Sequence, residues 1–526
     1  MQEQFVESFK LFNIIRNSDS FLKKGFSFKL NEGLELSSLE LLAPYLLLYR
    51  FPHLFNNLDR LSFLKRIENG LWPYRGLGQR LKDIMSMTPH LSNKGCVDWT
   101  NDSSVILFLG FTPAFYQEVL RPVAELLAKR KDLKIFILSC DNKFIKDNIG
   151  LKDNIIFQSI WSHWSDDVRL LSKNMMEQLI KNKEFLFSNY NRITEDLRVV
   201  SNRPAFKREL SYLFWRELKR LIPQVAVAQH IISEHKPRLI VSADDADQRC
   251  RIYSLLGKSY NTRSLLIQQG LTGRHYPEWH FLSADAVASM GELSRVDMIK
   301  QDVSSEAVVV TGHPGFDKLL DEKYTSRVNL RSELGVLSHQ HMLLFASQPY
   351  YVGSFSSPEI RALMIREIIS AITSNSNVKL IVKPHPQDNI KELKSIIKKS
   401  KNVILLNQKY DISSLVIACD LLVTFFSTVA LQALYAGKPV LNVAFPGSYN
   451  STLFIESGAT WVARSTQEIK ELIKLLTGEN KKQIIENQRE AREKFIRDYA
   501  YLSDGLATMR IGKLILELIG KEEQWH

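Results

Sequence analysis

The sequence contains few cysteines, only four in 526 residues, and none of them forms a Cys-x-x-Cys pair. Cys96, Cys140, Cys250 and Cys419 are scattered, and no cysteine and histidine cluster has the spacing of zinc ligands. A secreted fold held by disulfides and a zinc-binding module are therefore not expected. A reducing compartment, the cytoplasm, fits this cysteine usage better.

Long hydrophobic runs are lacking as well. Leu41 to Tyr49, among the strongest, is too short to span a bilayer and contains Pro44. The N-terminus, Met-Gln-Glu-Gln-Phe, lacks the basic-then-apolar order of a signal peptide. With 45% hydrophobic and 24% charged residues, the composition is that of an ordinary globular protein. We expect a cytoplasmic protein, and leave open peripheral contact with the inner face of the membrane.

Negative charge is the scarcer sign, and the net charge is +12. Nucleic acid, an anionic membrane surface and negatively charged substrates are all partners that such a surface attracts. No strand carries the interleaved aromatic and basic residues of an RNA-binding sheet, so we do not expect nucleic acid as a partner.

Residues 1–100 are predicted to form a helical N-terminal extension, because they are rich in Leu and Phe and show no strand alternation. Within it, residues 39–51 are amphipathic and aromatic-rich. This stretch is interpreted either as a packing face against the main body or as a membrane-surface helix. Further along the chain, Trp161, Trp164 and Trp215 are predicted to be packing residues.

The rest of the chain predicts an α/β fold with two parallel sheets, because short apolar strands alternate with helices. We place one Rossmann-like domain at 101–325, a second at 326–500 and a C-terminal helix at 501–526. A polar, charged stretch at 318–340 is predicted to be the linker. The predicted strands lie within 104–110, 134–139, 236–243, 264–269, 284–289, 307–312, 341–347, 379–383, 402–406, 420–424 and 439–443.

Polar residues appear abruptly where two strands of the second series end. Lys383 and His385 follow one of these strands, and Pro384 and Pro386 stiffen the turn that carries them. A cation and an imidazole donor at such a position suit a phosphate group. The structural alternative is a proline-stiffened turn with solvated side chains.

Ser427 and Thr428 follow the other strand and precede a helix. Helix capping explains them, and so does a role in binding a phosphate with their hydroxyls and the free amides of the helix. Gln432 lies one turn inside that helix and is a candidate for a ribose or base contact, or simply an exposed residue.

An acidic cluster, Asp244, Asp245 and Asp247, follows a strand of the first series. Asp244 or Asp245 is a candidate general base for an acceptor hydroxyl. Capping and solvation are the alternatives, and the Asp-x-Asp pattern is too common by chance to predict a metal. Three other residues at strand ends, with either a donor-site or a structural role, are Gly270, His313 and Gln348.

The order of four motifs resembles GT-B glycosyltransferases of surface and capsular polysaccharide synthesis. The motifs are Gln-Gln-Gly-Leu-Thr-Gly at 268–273, Thr-Gly-His-Pro-Gly-Phe-Asp at 311–317, Lys-Pro-His-Pro at 383–386 and Phe-Ser-Thr at 426–428. Similar groups transfer from CDP-glycerol, CMP-sialic acid or CMP-Kdo and carry a His-Pro motif. The resemblance covers roughly 230–515.

The resemblance implies two Rossmann-like domains facing a cleft, a CMP- or UDP-linked donor on the C-terminal domain, a growing glycan or lipid-linked glycan as acceptor, and no metal or other cofactor. His385, Ser427 and Thr428 would bind the donor phosphate. We expect an inverting reaction, with retention left open. The acidic residue of the family's acidic-acidic-Gly motif would be the base, and the matching stretch here is Asp244-Asp245-Ala246, with Ala in place of Gly.

Non-hydrolysing UDP-N-acetylglucosamine 2-epimerases share the layout and are the alternative. They carry paired glutamates where this chain has Leu431 and Gln432, which weighs against an epimerase.

Overall fold

The computed structural model describes residues 10–13, 26–30, 34–46, 104–149, 154–191, 203–271, 277–320, 327–350, 355, 357–373, 375, 377–385, 388–397, 402–407, 410–425, 427–446 and 452–522. They form two compact units, which are described separately. Unit 1 comprises 1–288, 297–309 and 509–526, and unit 2 comprises 289–296 and 310–508.

Unit 1 is built on a seven-stranded sheet in the order β5-β4-β3-β6-β7-β8-β9. The pairings from β5 through to β8 are parallel. The strands are β3 (Ser104–Leu109), β4 (Leu133–Ser139), β5 (Ile155–Ser159), β6 (Leu239–Ser242), β7 (Arg263–Ile267), β8 (Ala286–Ser289) and β9 (Val308–Val310). Their central members are buried on both faces, which is why they read as continuous apolar runs.

An antiparallel hairpin, β1 (Ser27–Lys29) and β2 (Glu35–Ser37), precedes this sheet in the chain. The helices of unit 1 and its border segments are α1 (Ser38–Tyr45), α2 (Pro113–Phe115), α3 (Arg121–Leu127), α4 (Asn142–Asn148), α5 (Asp166–Ser188), α6 (Arg203–Tyr212), α7 (Lys219–His235), α8 (Gln248–Ser259) and α9 (Glu292–Lys300). Two π-helical segments, Tyr116–Leu120 and Leu213–Leu218, join α2 to α3 and α6 to α7.

The described part of the predicted N-terminal extension belongs to the core of unit 1. Leu41, Leu42 and Leu46 are buried in the same apolar cluster as strands β3 and β4 and helix α7. The hairpin shows that this region is not purely helical. Helix α1 therefore uses its apolar face for packing, which is one of the two interpretations given for residues 39–51.

Unit 2 contains a six-stranded parallel sheet in the order β12-β11-β10-β13-β14-β15. The strands are β10 (His341–Ala346), β11 (Val378–Lys383), β12 (Val403–Leu405), β13 (Leu421–Thr424), β14 (Val440–Val443) and β15 (Trp461–Ala463). The helices from Arg327 on are α10 (Arg327–Glu333), α11 (Pro358–Thr373), α12 (Ile390–Ile397), α13 (Ile412–Ala418), α14 (Val429–Tyr435), α15 (Thr452–Glu456), α16 (Thr466–Thr477), α17 (Lys481–Glu486), α18 (Arg489–Ala500) and α19 (Ala507–Leu518).

Local sequence signals explain many of the helix starts. Ser165 accepts a hydrogen bond from the Val168 amide at the start of α5, and Asp141 caps α4 in the same way. At α16, the Ser465 hydroxyl accepts from the Glu468 amide while the Glu468 carboxylate accepts from the Arg464 amide. Such side chains satisfy the amides that the first helical turn leaves unpaired.

The last helix, α19, belongs in part to unit 1. Ile511, Leu514, Ile515 and Leu516 are buried in the apolar cluster formed by β3, β4 and β6. The chain therefore passes from unit 1 to unit 2 and back more than once. The compact units are thus not separated by a single boundary such as the one placed between residues 325 and 326. The stretch predicted to be a linker, 318–340, contains α10.

None of the helices in the described ranges combines the length and the apolar content needed to cross a bilayer.

Candidate functional site

The candidate site lies at the point where the strand order of the second sheet reverses, between β10 and β13. Ser347 and Gln348 follow β10, Lys383 ends β11, and Ser427 follows β13. These three strands are neighbours in the sheet and run in the same direction. Their carboxyl ends therefore meet at one edge, and in open α/β sheets ligands bind at this switch point.

Lys383 and His385 are both half-buried at this edge. Burial lowers the pKa of Lys383, and the charge of Asp411 partly offsets this. Burial also lowers the pKa of His385, which Asp388 raises and Lys383 lowers. The imidazole is therefore neutral at pH 7, and an arriving phosphate would favour its protonated form.

A buried arginine holds the loops that carry these residues. Arg361, on α11, donates from Nε to the Gln348 carbonyl oxygen at 2.6 Å and from Nη2 to Asp388 Oδ1 at 2.8 Å. The other Asp388 oxygen accepts from the backbone amide of His385 at 2.7 Å. The loop after β10 and the loop after β11 are thus fixed to each other through one ion pair.

Arg361 and Asp388 were not singled out from the sequence. The Arg361 side chain also donates to Glu392 Oε1 at 3.0 Å, and both it and the Asp388 side chain are buried. A signal was present, because Arg361 lies on the same face of α11 as Ile365 and Ile368, which are fully buried. A charged residue at an apolar position of a helix indicates a buried partner.

Ser427, Thr428 and Gln432 lie together at the start of α14. The Ser427 hydroxyl accepts from the Val429 amide at 3.3 Å, whereas Thr428 at the N-cap position makes no side-chain capping bond. Gln432 Oε1 is buried and has no hydrogen-bond partner among the described residues. A buried acceptor without a partner is costly, so a hydrogen-bond donor from a ligand would stabilise it.

The acidic cluster lies at the corresponding switch point of the first sheet, after β6. Asp244 Oδ1 accepts from the amides of Ala246 at 3.0 Å and Asp247 at 3.2 Å. Burial, and next the charge of Asp247, raise the pKa of Asp244 to about 7. A carboxyl group with this pKa is poised to accept a proton near neutral pH.

Asp245 has a different environment. Its Oδ2 accepts from Arg251 Nη1 at 2.7 Å and from the Ser283 amide at 2.9 Å, and its Oδ1 accepts from the Ser283 hydroxyl. Both carboxylate oxygens of Asp245 therefore accept hydrogen bonds from residues of the protein interior. Asp247 caps helix α8 and pairs with Arg249. Asp244 is therefore the better candidate base of the three.

Two further candidates lie apart from the switch points. His313 is buried, accepts from the Gly315 amide through Nδ1 and packs on the Phe316 ring, so it caps the short helix Pro314–Leu319. The carbonyl oxygen of Gly270 accepts from Gln268 Nε2, and a Cβ atom at Gly270 would meet no atom within 4 Å. Packing therefore does not require glycine there. Gly273, Pro386 and Phe426 of the motifs lie outside the described residues.

No group of three or more His, Cys, Asp or Glu side chains in the described ranges is placed to hold a metal ion.

Two Rossmann-like sheets in one chain define the GT-B class of folds, and solved structures share this fold. The UDP-GlcNAc 2-epimerase from Neisseria meningitidis, with UDP-GlcNAc bound, is 14% identical with a TM-score of 0.50, and the match covers 79% of this chain and 100% of the epimerase. The UDP-GlcNAc 2-epimerase from Methanocaldococcus jannaschii is 14% identical with a TM-score of 0.51, and the match covers 79% of this chain and 99% of the epimerase. A variant of the wall teichoic acid polymerase TagF, soaked with CDPG, is 12% identical with a TM-score of 0.50, covering 87% of this chain and 97% of its own.

Residues 295–517 match the family model described as CDP-Glycerol:Poly(glycerophosphate) glycerophosphotransferase. No curated protein gives a significant match. The matched segment contains Lys383, His385, Ser427 and Thr428. The protein is thus a transferase with a GT-B fold, which confirms the predicted fold class and the predicted enzyme class.

Proposed function

We propose that the protein transfers a sugar or a phosphoalcohol from a nucleotide-activated donor to a growing cell-surface polymer. The observation that carries the proposal is the family match over 295–517, within which the strand-end cluster of unit 2 lies. The donor is CDP-, CMP- or UDP-linked, and CDP-glycerol is the first to test because the family description names it.

Unit 2 would hold the phosphate of the donor. Lys383 and His385 supply positive charge and donors, and the hydroxyls of Ser427 and Thr428 add polar contacts. Gln432 would accept a hydrogen bond from a ribose hydroxyl. As the donor bond breaks, charge builds up on the leaving nucleotide phosphate, and Lys383 and protonated His385 stabilise it.

The acceptor supplies a hydroxyl group. Its oxygen forms the new bond to the transferred carbon or phosphorus, the nucleotide phosphate leaves with the electrons of the broken bond, and the hydroxyl proton moves to a base. We assign Asp244 as this base, because the pKa of its carboxyl is near 7. A single displacement of this kind inverts the reacting centre, and no metal is invoked.

The test is nucleotide release from a panel of donors. The protein is incubated with CDP-glycerol and with CMP-, UDP- and GDP-linked sugars in the presence of a polymer acceptor. His385→Ala should lower the rate by about a hundredfold or more, since one preorganised donor is removed from the developing charge. His339→Ala is the matched control, because His339 is exposed and precedes β10 at the opposite end of the sheet. Equal rates for the wild type and His385→Ala would refute the assigned role.

The same assay without acceptor tests the alternative. An epimerase interconverts UDP-N-acetylhexosamines without any acceptor, and the proton NMR spectrum of the sugar reports the change. Epimerisation without nucleotide release would replace the transferase proposal for this site.

We also propose a cytoplasmic location with peripheral membrane contact. The described cysteines, Cys140, Cys250 and Cys419, are buried and form no disulfide bond, which fits a reducing compartment. Leu41 and Leu42 of helix α1, and Leu46 directly after it, are buried in the core, so they are not a membrane contact.

A further inference from the structure

A cavity of about 340 Å³ lies between the start of α5 and the end of α7 in unit 1. We call it the α5–α7 cavity. Helix α7 ends at His235 and β6 begins at Leu239, so the cavity lies near the amino end of this strand, whereas Asp244 follows its carboxyl end. The cavity is therefore separate from the candidate base. Its volume is within the range of small-ligand sites, roughly 300–1,000 Å³.

The wall of the α5–α7 cavity is acidic. Asp167 from α5 and Glu234 from α7 supply two carboxylates, and the described residues of the wall include no lysine or arginine. Neither carboxylate forms an ion pair with another residue in the described ranges. Since the chain as a whole carries a net charge of +12, this wall has the opposite sign to the average surface, and it attracts cations.

Glu234 lies at a helix position that disfavours a carboxylate. It is in the last turn of α7, where the backbone carbonyl groups already carry partial negative charge. A cation bound beside it would relieve this repulsion and would also interact favourably with the helix end.

Gln229 gives an independent indication of a ligand. Its side chain lines the cavity and is 2% exposed. Its Nε2 donates to the Tyr260 hydroxyl at 2.9 Å, whereas its Oε1 is buried and has no hydrogen-bond partner in the described part of the chain. Because leaving such an oxygen unpaired costs free energy, the site favours a ligand that donates hydrogen bonds.

The wall also has an apolar side. Val168 and Leu171 are buried, and Leu170 is 57% exposed. Trp215, which was predicted to be a packing residue, is exposed to a similar degree, 51%. Methylene groups pack on apolar side chains while a charged end reaches polar groups, as the stem of a lysine side chain does. An inorganic cation would gain nothing from this side of the wall.

We propose that the α5–α7 cavity binds an organic cation with primary ammonium groups on an alkyl chain, a ligand of the polyamine class. Its ammonium groups donate to the carboxylates of Asp167 and Glu234 and to Gln229 Oε1, and its methylene groups lie against Leu170. Hydrogen bonds between two charged groups are stronger than those between neutral groups. This site does not depend on the proposed transfer reaction, since none of its residues is assigned to that reaction.

The test is calorimetric titration of the full chain with spermidine, in the absence of donor and acceptor, so that the outcome does not depend on transfer. We expect one spermidine to bind per chain, and weaker binding when salt rises from about 0.1 M to about 0.5 M. Three probes each lack one feature of the ligand. Tetramethylammonium has no N–H donor, Mg²⁺ has no alkyl chain and hexanediol has no charge, and each should bind about tenfold more weakly or less.

Two variants locate the binding. Glu234→Gln should weaken spermidine binding about fivefold, and Asp167→Asn with Glu234→Gln about 25-fold, since an exposed ion pair contributes up to about fivefold. Glu184→Gln is the matched control, because Glu184 is an exposed residue of α5 outside the cavity wall, and it should leave binding unchanged. Thermal melting checks that each variant is folded.

His230 also lines the cavity, so its ring resonances in the proton NMR spectrum should shift when spermidine is added. No spermidine binding, equal affinities in Glu234→Gln and Glu184→Gln, or equal binding of spermidine and any of the three probes would each overturn the proposal.

Discussion

The two sheets reverse their strand order at equivalent places, and each place has a fully buried arginine close by. In unit 1, Arg251 pairs with Asp245 and also donates to the carbonyl oxygens of Phe281 and Glu40. In unit 2, Arg361 pairs with Asp388 and donates to the Gln348 carbonyl oxygen.

The difference is in which residue the arginine engages. Arg251 binds the side chain of a candidate catalytic residue, Asp245, so that this carboxylate has a structural role. Arg361 instead binds Asp388, which holds His385 through its backbone amide. The acidic cluster of unit 1 and the Lys383 and His385 cluster of unit 2 look alike in sequence, since both follow a strand. They differ in that a candidate residue takes part in the buried ion pair of unit 1, whereas Arg361 and Asp388 form the ion pair of unit 2.

The largest expected effect comes from removing the carboxylate partner of either arginine. Asp245→Ala leaves the buried Arg251 guanidinium without its carboxylate partner, which costs about 3–5 kcal/mol of unfolding free energy. Asp388→Ala should cost somewhat less, because Arg361 keeps its ion pair with Glu392. Urea unfolding, followed by circular dichroism, measures the loss. A loss below about 1 kcal/mol in either variant would show that the pair is not structural.

The next effect concerns Asp244 and the pH dependence of stability. The pKa of Asp244 is about 7 in the folded protein and near the ordinary 3.8 in the unfolded chain. Between these pH values the carboxyl is protonated in the folded protein and ionised in the unfolded chain. The free energy of unfolding therefore decreases as pH rises from about 3.8 to about 7. Asp244→Asn keeps an acceptor for the Ala246 and Asp247 amides, and it should be more stable than the wild type at pH 8 by about 2–4 kcal/mol, with a smaller difference at pH 5.

Urea unfolding of both proteins at the two pH values measures this difference. Asp245→Asn is the comparison variant, which should instead be destabilised. A pH-independent difference between Asp244→Asn and the wild type would contradict the raised pKa.

A third prediction sharpens the comparison of the two arginines. Arg361→Lys keeps the charge but loses the fork that joins Gln348 to Asp388, so we expect nucleotide affinity to fall about tenfold, equivalent to about 1.4 kcal/mol. Arg251→Lys should lower stability without this loss of affinity. Calorimetric titration with CMP or UDP gives the affinities. Equal affinity losses in the two variants would indicate a general loss of folding instead.

The smallest expected effect is proton uptake by His385 on phosphate binding. Burial holds the pKa of the free imidazole below its usual value, and a bound phosphate should raise it. Phosphate affinity should therefore decrease as pH rises through the bound-state pKa, by less than about tenfold per pH unit. Proton NMR of the histidine resonances with and without inorganic phosphate follows this shift, and exposed His339 serves as the internal reference.

The sequence predicted the central strands of both sheets because each is a continuous apolar run. It missed β5 and β15, which lie at sheet edges and are only partly buried. β5 mixes apolar and polar residues, and β15 is an apolar stretch of only three residues. The positions of Lys383, His385 and Ser427 were predictable as polar residues at strand ends. Their grouping at one phosphate site was predicted too, whereas the switch point between β10 and β13 was not, because it depends on the order in which the strands pair.

Helix α19 has a consequence for the order in which the chain folds during synthesis. Domains generally fold in the order in which they leave the ribosome. Here the first unit needs Ile511 and Ile515, near the end of the chain, to fill its apolar cluster. Its core therefore stays incomplete until the second unit has been made, and a nascent chain stalled before residue 507 leaves apolar side chains of this cluster exposed to water.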